Sequence, residues 1–126
     1  MKAFGIADDE RPEDNTAFVR NSTAIQNFFY KTIIADQLDD SLLRTSCERL
    51  GERHVDFIAR GFNSTFWDIF LVCMAEVLNE RLPLCYDEPS KQEEVSLAYQ
   101  NVFHAIVHHM RSGYSEKRRQ EMARQS

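Results

Sequence analysis

Four stretches of the chain repeat apolar residues at helical spacing, and polar clusters separate them. The first covers 16–35, where Phe18, Ile25, Phe28 or Phe29, and Ile33 return to one broad face and Asp14 or Asn15 can cap the start. After a break at 36–41, the second carries Leu43, Cys47, Leu50 and His54 on one seam behind an Asp39 or Asp40 cap. The third opens at Thr65 with Asp68 three residues on, the spacing of a capping box, and runs to about Glu80. Phe66, Phe70, Met74 and Val77 form its seam, Trp67, Leu71 and Leu78 broaden it, and Pro83 stops it. Ser90 and Glu93 repeat the capping-box spacing; a fourth helix follows with Val95, Tyr99, Val102, Phe103, Ile106, Val107 and Met110 inward and Gly113 as terminator. No stretch reads as a strand, so the expected class is all-α, and a plain helical bundle satisfies the pattern.

Composition narrows this only a little. A chain of 126 residues builds one core, and nine phenylalanines supply large units to fill it. The net charge is -5 and positive charge gathers only at Lys117, Arg118 and Arg119, which argues against a nucleic-acid partner. Three cysteines leave at least one unpaired, and the chain has neither a signal-like opening nor an apolar run of about twenty residues. The expectation is a cytoplasmic chain with no membrane association and unused sequons at Asn21 and Asn63.

The candidate chemistry centres on His54. Histidine on the apolar face of a helix, at its end, is an unusual address. Beyond it Gly61 can take a positive φ and an aromatic helix begins, a layout that can hang one axial ligand beside a flat cofactor. A core histidine bonded to a backbone carbonyl suits the same spacing, and the pattern leaves both readings open. Cys47 reads as an inert core thiol. His104, His108 and His109 contain a metal-type i, i+4 pair, but nothing nearby completes a site, so they read as surface residues. Asn21 and Gln26 put polar groups on the face of the first helix, where boundary positions facing water are the simpler account.

The order of these features resembles the globin family, and invertebrate globins of the nematode kind in particular. Leu50-Gly51-Glu52-Arg53-His54 looks like the Leu-Gly-x-x-His ending of the family's proximal helix, Gly61 and Phe62 like the corner after it, and Met110 to Tyr114 like the terminal helix. Lys2-Ala3-Phe4 resembles the corner that ends the family's third helix, and Phe18, Asn21, Ile25 and Phe29 match the distal helix in spacing. The resemblance implies a globin-like helical fold lacking the first three helices, with a partial haem domain over 1–113 and a polar tail or helix extension over 114–126. It implies haem b as cofactor, His54 as iron ligand, and Phe4, Asn21, Ile25, Leu50, Phe62 and Trp67 around the porphyrin. Ser22 or Gln26 can stand in for Asn21, and Arg53 can meet a propionate. The implied function is non-enzymatic, reversible binding of dioxygen or another diatomic gas. The alternatives are a haem-free truncated helical protein acting through protein-protein interaction, and a haem redox or gas-sensing protein. Faces left open by the absent helices imply either pairing with another chain, a homo-oligomer being one form of it, or poor stability.

Overall fold

In the computed structural model, which describes residues 6–125, the polar clusters become the breaks between four long helices. These are α1 (Thr16–Phe29), α2 (Asp40–His54), α3 (Thr65–Cys85) and α4 (Pro89–Gln125), and the fold is all-α. Of the alternative caps, Asn15 starts α1 by accepting from the Phe18 N–H at 3.0 Å, and Asp39 starts α2 by accepting from the Leu42 N–H at 3.0 Å. Each satisfies an amide that the helix itself leaves unpaired. The helical run of α1 continues as a π-helical turn over Tyr30–Ala35. Gln37 and Leu38 then reverse the chain at φ 52 and 56, a left-handed pair that costs non-glycine residues strain.

Several boundaries differ from the sequence expectation. Asp68 does not close a capping box: its carboxylate accepts from Arg111 of α4 at 2.7 Å, and the Asn63 side chain takes the Thr65 N–H at 2.9 Å instead. Pro83 sits inside the last turn of α3, which runs on to Cys85. Helix α4 begins at Pro89 itself, a first-turn position where the missing N–H and fixed φ cost nothing, so Ser90 lies within the helix and caps nothing. Gly113 does not end α4 either; the helix continues through it to Gln125.

The reason lies in packing. Helices α2 and α4 meet backbone to backbone: a Cβ on Gly51 would lie 2.0 Å from the Met110 carbonyl oxygen, and one on Gly113 would lie 2.1 Å from that of Glu48. The two glycines serve one crossing, each opening room for the carbonyl of the other helix. Around it Cys47 is 0% exposed and Ile106 1%, with Leu43, Phe103, Val107 and Met110 close by in the core. Burying side chains of this size stabilises the fold by about 1.5–3 kcal/mol each.

Helix α3 completes the core with Trp67, Leu78 and Leu82. Phe70, Leu71 and Met74 pack against it as the spacing expects, but Phe66 and Val77 are exposed, as is Tyr99 of α4. Helix α1 buries none of its own residues and joins the core through its end, where the Phe29 ring lies 5.7 Å from Phe103 and 6.2 Å from Phe70 between centroids. No single helix among the described residues is long and apolar enough to cross a membrane.

Candidate functional site

His54 is the last residue of α2, one turn beyond the glycine crossing. Its Nδ1 lies 2.7 Å from the Leu50 carbonyl oxygen. A carbonyl can only accept, so Nδ1 carries the proton and Nε2 is left with a free lone pair. The chain then turns through a 3-10 segment, Val55–Arg60, and Gly61 closes it at φ 98. That left-handed residue carries the Gly61 N–H to Ile58 O at 3.0 Å and the Phe62 N–H to Phe57 O at 3.1 Å, folding the aromatic side chains back over the imidazole.

Three rings surround His54. Centroid distances are 5.0 Å to Phe62, 5.1 Å to Phe57 and 5.5 Å to Trp67, the two phenylalanines presenting near-perpendicular edges. Tyr114 forms the next layer, 5.2 Å from Trp67 and 5.7 Å from Phe62, and the Arg118 guanidinium lies over its far side at 5.7 Å. Burial among these rings pushes the His54 pKa below its ordinary value; the Leu50 hydrogen bond works against that shift, and the Arg53 charge adds to it. The outcome is a neutral imidazole with its proton on Nδ1.

The structure thus brings together four residues singled out from the sequence: Leu50, His54, Phe62 and Trp67. Arg53 is exposed beside them. Asn21 and Ile25 occupy exposed positions of α1, as do Ser22 and Gln26, and Ser22 spends its hydroxyl on Phe18 O at 3.1 Å. Phe4 lies outside the described residues. Sequence reasoning missed Phe57 and Tyr114 as members of the cluster. Phe57 follows His54 by one turn, and Tyr114 follows Met110 by four positions, so continuing the inward seam past Gly113 would have found the second.

Other groups stay apart from this site. Cys47 is buried and its thiol is pushed up to about 11, chiefly by burial and then by Glu48, which leaves it unreactive. His104 and His108 are exposed and His109 is half-buried. No group of three His, Cys, Asp or Glu among the described residues could hold a bare metal ion. A haem iron is a different case, since the porphyrin supplies most of its ligands and asks for one axial side chain.

This placement of a tautomer-fixed histidine at the end of an amphipathic helix, followed by a glycine corner and an aromatic helix, agrees with the sequence comparison: the chain belongs to the globin family, whose model matches residues 1–110. Among curated proteins, the globin-related protein glb-13 of Caenorhabditis elegans is 33% identical over 70 residues. The match spans 56% of this chain and 23% of that protein, so the chain corresponds to less than a quarter of the relative's length. No solved structure matches it. The family's fold packs eight helices around its haem; the described residues form four long ones.

Proposed function

We propose that this globin-family chain binds haem b through His54 and, in that form, reversibly binds dioxygen or another diatomic gas in the cytoplasm. The observation that carries the proposal is the His54 Nδ1 hydrogen bond to Leu50 O at 2.7 Å. It holds the proton on the nitrogen that faces the helix and leaves Nε2 to donate to iron, the arrangement a metal-bound histidine needs. That donor chemistry, and not a cavity beside the imidazole, is what supports the reading. Haem supplies the iron centre at which a small gas binds and dissociates. The chain's own residues do the rest. Leu50 orients the imidazole, burial among Phe57, Phe62 and Trp67 keeps it unprotonated, and exposed Arg53 would pair with a propionate. Asn21 and Ile25 of α1, exposed in this structure, would join the residues that hold the cofactor. Membership of a gas-binding family favours a carrier over an enzyme.

One feature favours a second reading. The aromatic rings already close around His54, and the α1 residues of the distal set face solvent. A haem-free helical protein that works by binding another protein would look the same. Haem titration separates the two. The native chain should give a saturable Soret band that shifts on reduction and carbon monoxide addition, and His54→Ala should lose that ligation spectrum. A native chain with no Soret shift, or a variant with the native spectrum, refutes haem ligation by His54.

A further inference from the structure

Strain gathers at one joint of the chain, the segment 30–38 between α1 and α2. Over Tyr30–Ala35 the helix is wound as a π turn, and the Asp36 N–H reaches back five residues to Lys31 O at 2.8 Å where an α-helix reaches back four. The wider winding strands a side chain. In the regular part of α1, Ser22 and Thr23 each give their hydroxyl to the carbonyl four residues back, Phe18 O at 3.1 Å and Val19 O at 3.0 Å. Thr32 is 1% exposed, yet its hydroxyl has no partner among the described residues. Gln37 and Leu38 add a left-handed pair shortly behind it. Beyond this joint α1 buries none of its own residues and packs against the core through its end, at Phe28 and Phe29, so little packing resists its movement.

We propose that this joint is a register switch: the π turn gives up one residue, winds as α-helix, and turns α1 by about 100° about its axis with a shift of about 1.5 Å. Each residue of α1 then takes the place its predecessor held. Two features make the second register tenable. Thr32 gains the Phe28 carbonyl four residues back, the kind of bond its hydroxyl now lacks. Phe28, Phe29 and Tyr30 are three aromatic residues in a row, so Tyr30, 64% exposed at present, enters the place where Phe29 meets Phe103. Phe29 is itself half-buried, so a phenol in that place keeps its hydroxyl near water. The present register has its own support, because the Lys31 ammonium lies 2.6 Å from the Asp36 carboxylate and 3.3 Å from the Ser46 hydroxyl of α2. One register bonds the lysine and the other bonds the threonine, which gives two packings of similar energy, the condition for a switch. On α1 the slip puts Ser22 in the place of Asn21 and Gln26 in that of Ile25. It thereby exchanges the polar groups this helix offers a cofactor; that consequence rests on the haem reading, and the slip itself does not.

Nitrogen-15 relaxation dispersion on the haem-free full chain tests the switch. Amides over 28–36 should show exchange on the microsecond-to-millisecond scale, with a minor state populated at about 1–10%. Thr32→Val keeps the side chain's shape and has no hydroxyl to satisfy, so it should cut the minor population about tenfold and raise the urea midpoint. Tyr30→Glu, at a position exposed in the major state, should also suppress the exchange, because the slip would bury its charge. Flat profiles in the native chain overturn the proposal. So does exchange that survives either Thr32→Val or Tyr30→Glu, or a Thr32→Val chain with a lower urea midpoint. No haem is present in these measurements, so their outcome is independent of the Soret titration that decides ligation by His54.

Discussion

Replacing Gly51 with alanine sets a methyl carbon 2.0 Å from the Met110 carbonyl oxygen, where ordinary contact begins at 3.4 Å. Helix α2 must then back away from α4 by up to ~1.4 Å, the difference between those two distances. The obstruction is helical backbone, which has no rotamer to change, so the whole crossing moves and Cys47, Ile106 and Met110 lose contacts with it. Such overpacking costs about 1–3 kcal/mol after relaxation. Against it stands the better helix propensity of alanine, about 1 kcal/mol at an unhindered site. Steric cost wins here because two backbones are involved, and we expect Gly51→Ala to lose about 1–2 kcal/mol, lowering the melting temperature by roughly 4–8 °C. Urea unfolding followed by circular dichroism measures it. Gly113→Ala should behave alike, and the double variant should lose less than the sum by more than about 0.5 kcal/mol, because the first alanine has already opened the crossing. A gain in stability from either change, or strict additivity, would refute the close approach.

Two further outcomes follow from caps and titration. Asp39→Ala removes the acceptor for the Leu42 N–H and should cost about 1 kcal/mol in the same urea assay; a loss of only a few tenths would mean that water serves that amide as well. Because burial lowers the His54 pKa, the folded chain binds fewer protons there than the unfolded one just below the ordinary histidine value of about 6.5. Stability is therefore full above that value and falls as pH descends through the lowered folded pKa. His109, lowered by burial and then by His108, adds in the same direction. Urea midpoints should fall only on the acid side, and His54→Phe should flatten that slope; an unchanged slope would show that His54 is not held neutral.

The helices were legible wherever a single face faced the core. The spacing of Leu43, Cys47, Leu50 and His54 marks such a face, and these residues do line the inner side of α2. Helix α3 was harder to read. It is apolar nearly all round, so periodicity marks Phe66 and Val77 as inward along with Trp67, Phe70, Leu71, Met74 and Leu78, and only the partner helices decide that the first two stay exposed while Leu82 is buried. Glycine was misread in α4 because its two uses look identical in sequence. At Gly61 it supplies a positive φ, while at Gly113 it supplies the missing Cβ that a second helix needs. Only the partner distinguishes them, and Gly51 is far away in the chain. The same non-locality explains the candidate site. His54, Phe57 and Phe62 are neighbours in sequence, but Tyr114 reaches them only through the α2–α4 crossing.

That crossing also sets an order of events during synthesis. Residues around Glu48 and Gly51 meet partners around Met110 and Gly113, so most of the chain must be made before either side finds the other. Contacts this distant form late because the intervening loop must close first. Until then the apolar seam of α2 and its histidine wait in solvent. A ribosome-bound chain halted shortly before Tyr114 should therefore expose Cys47 to alkylation, and its protection would report the arrival of α4.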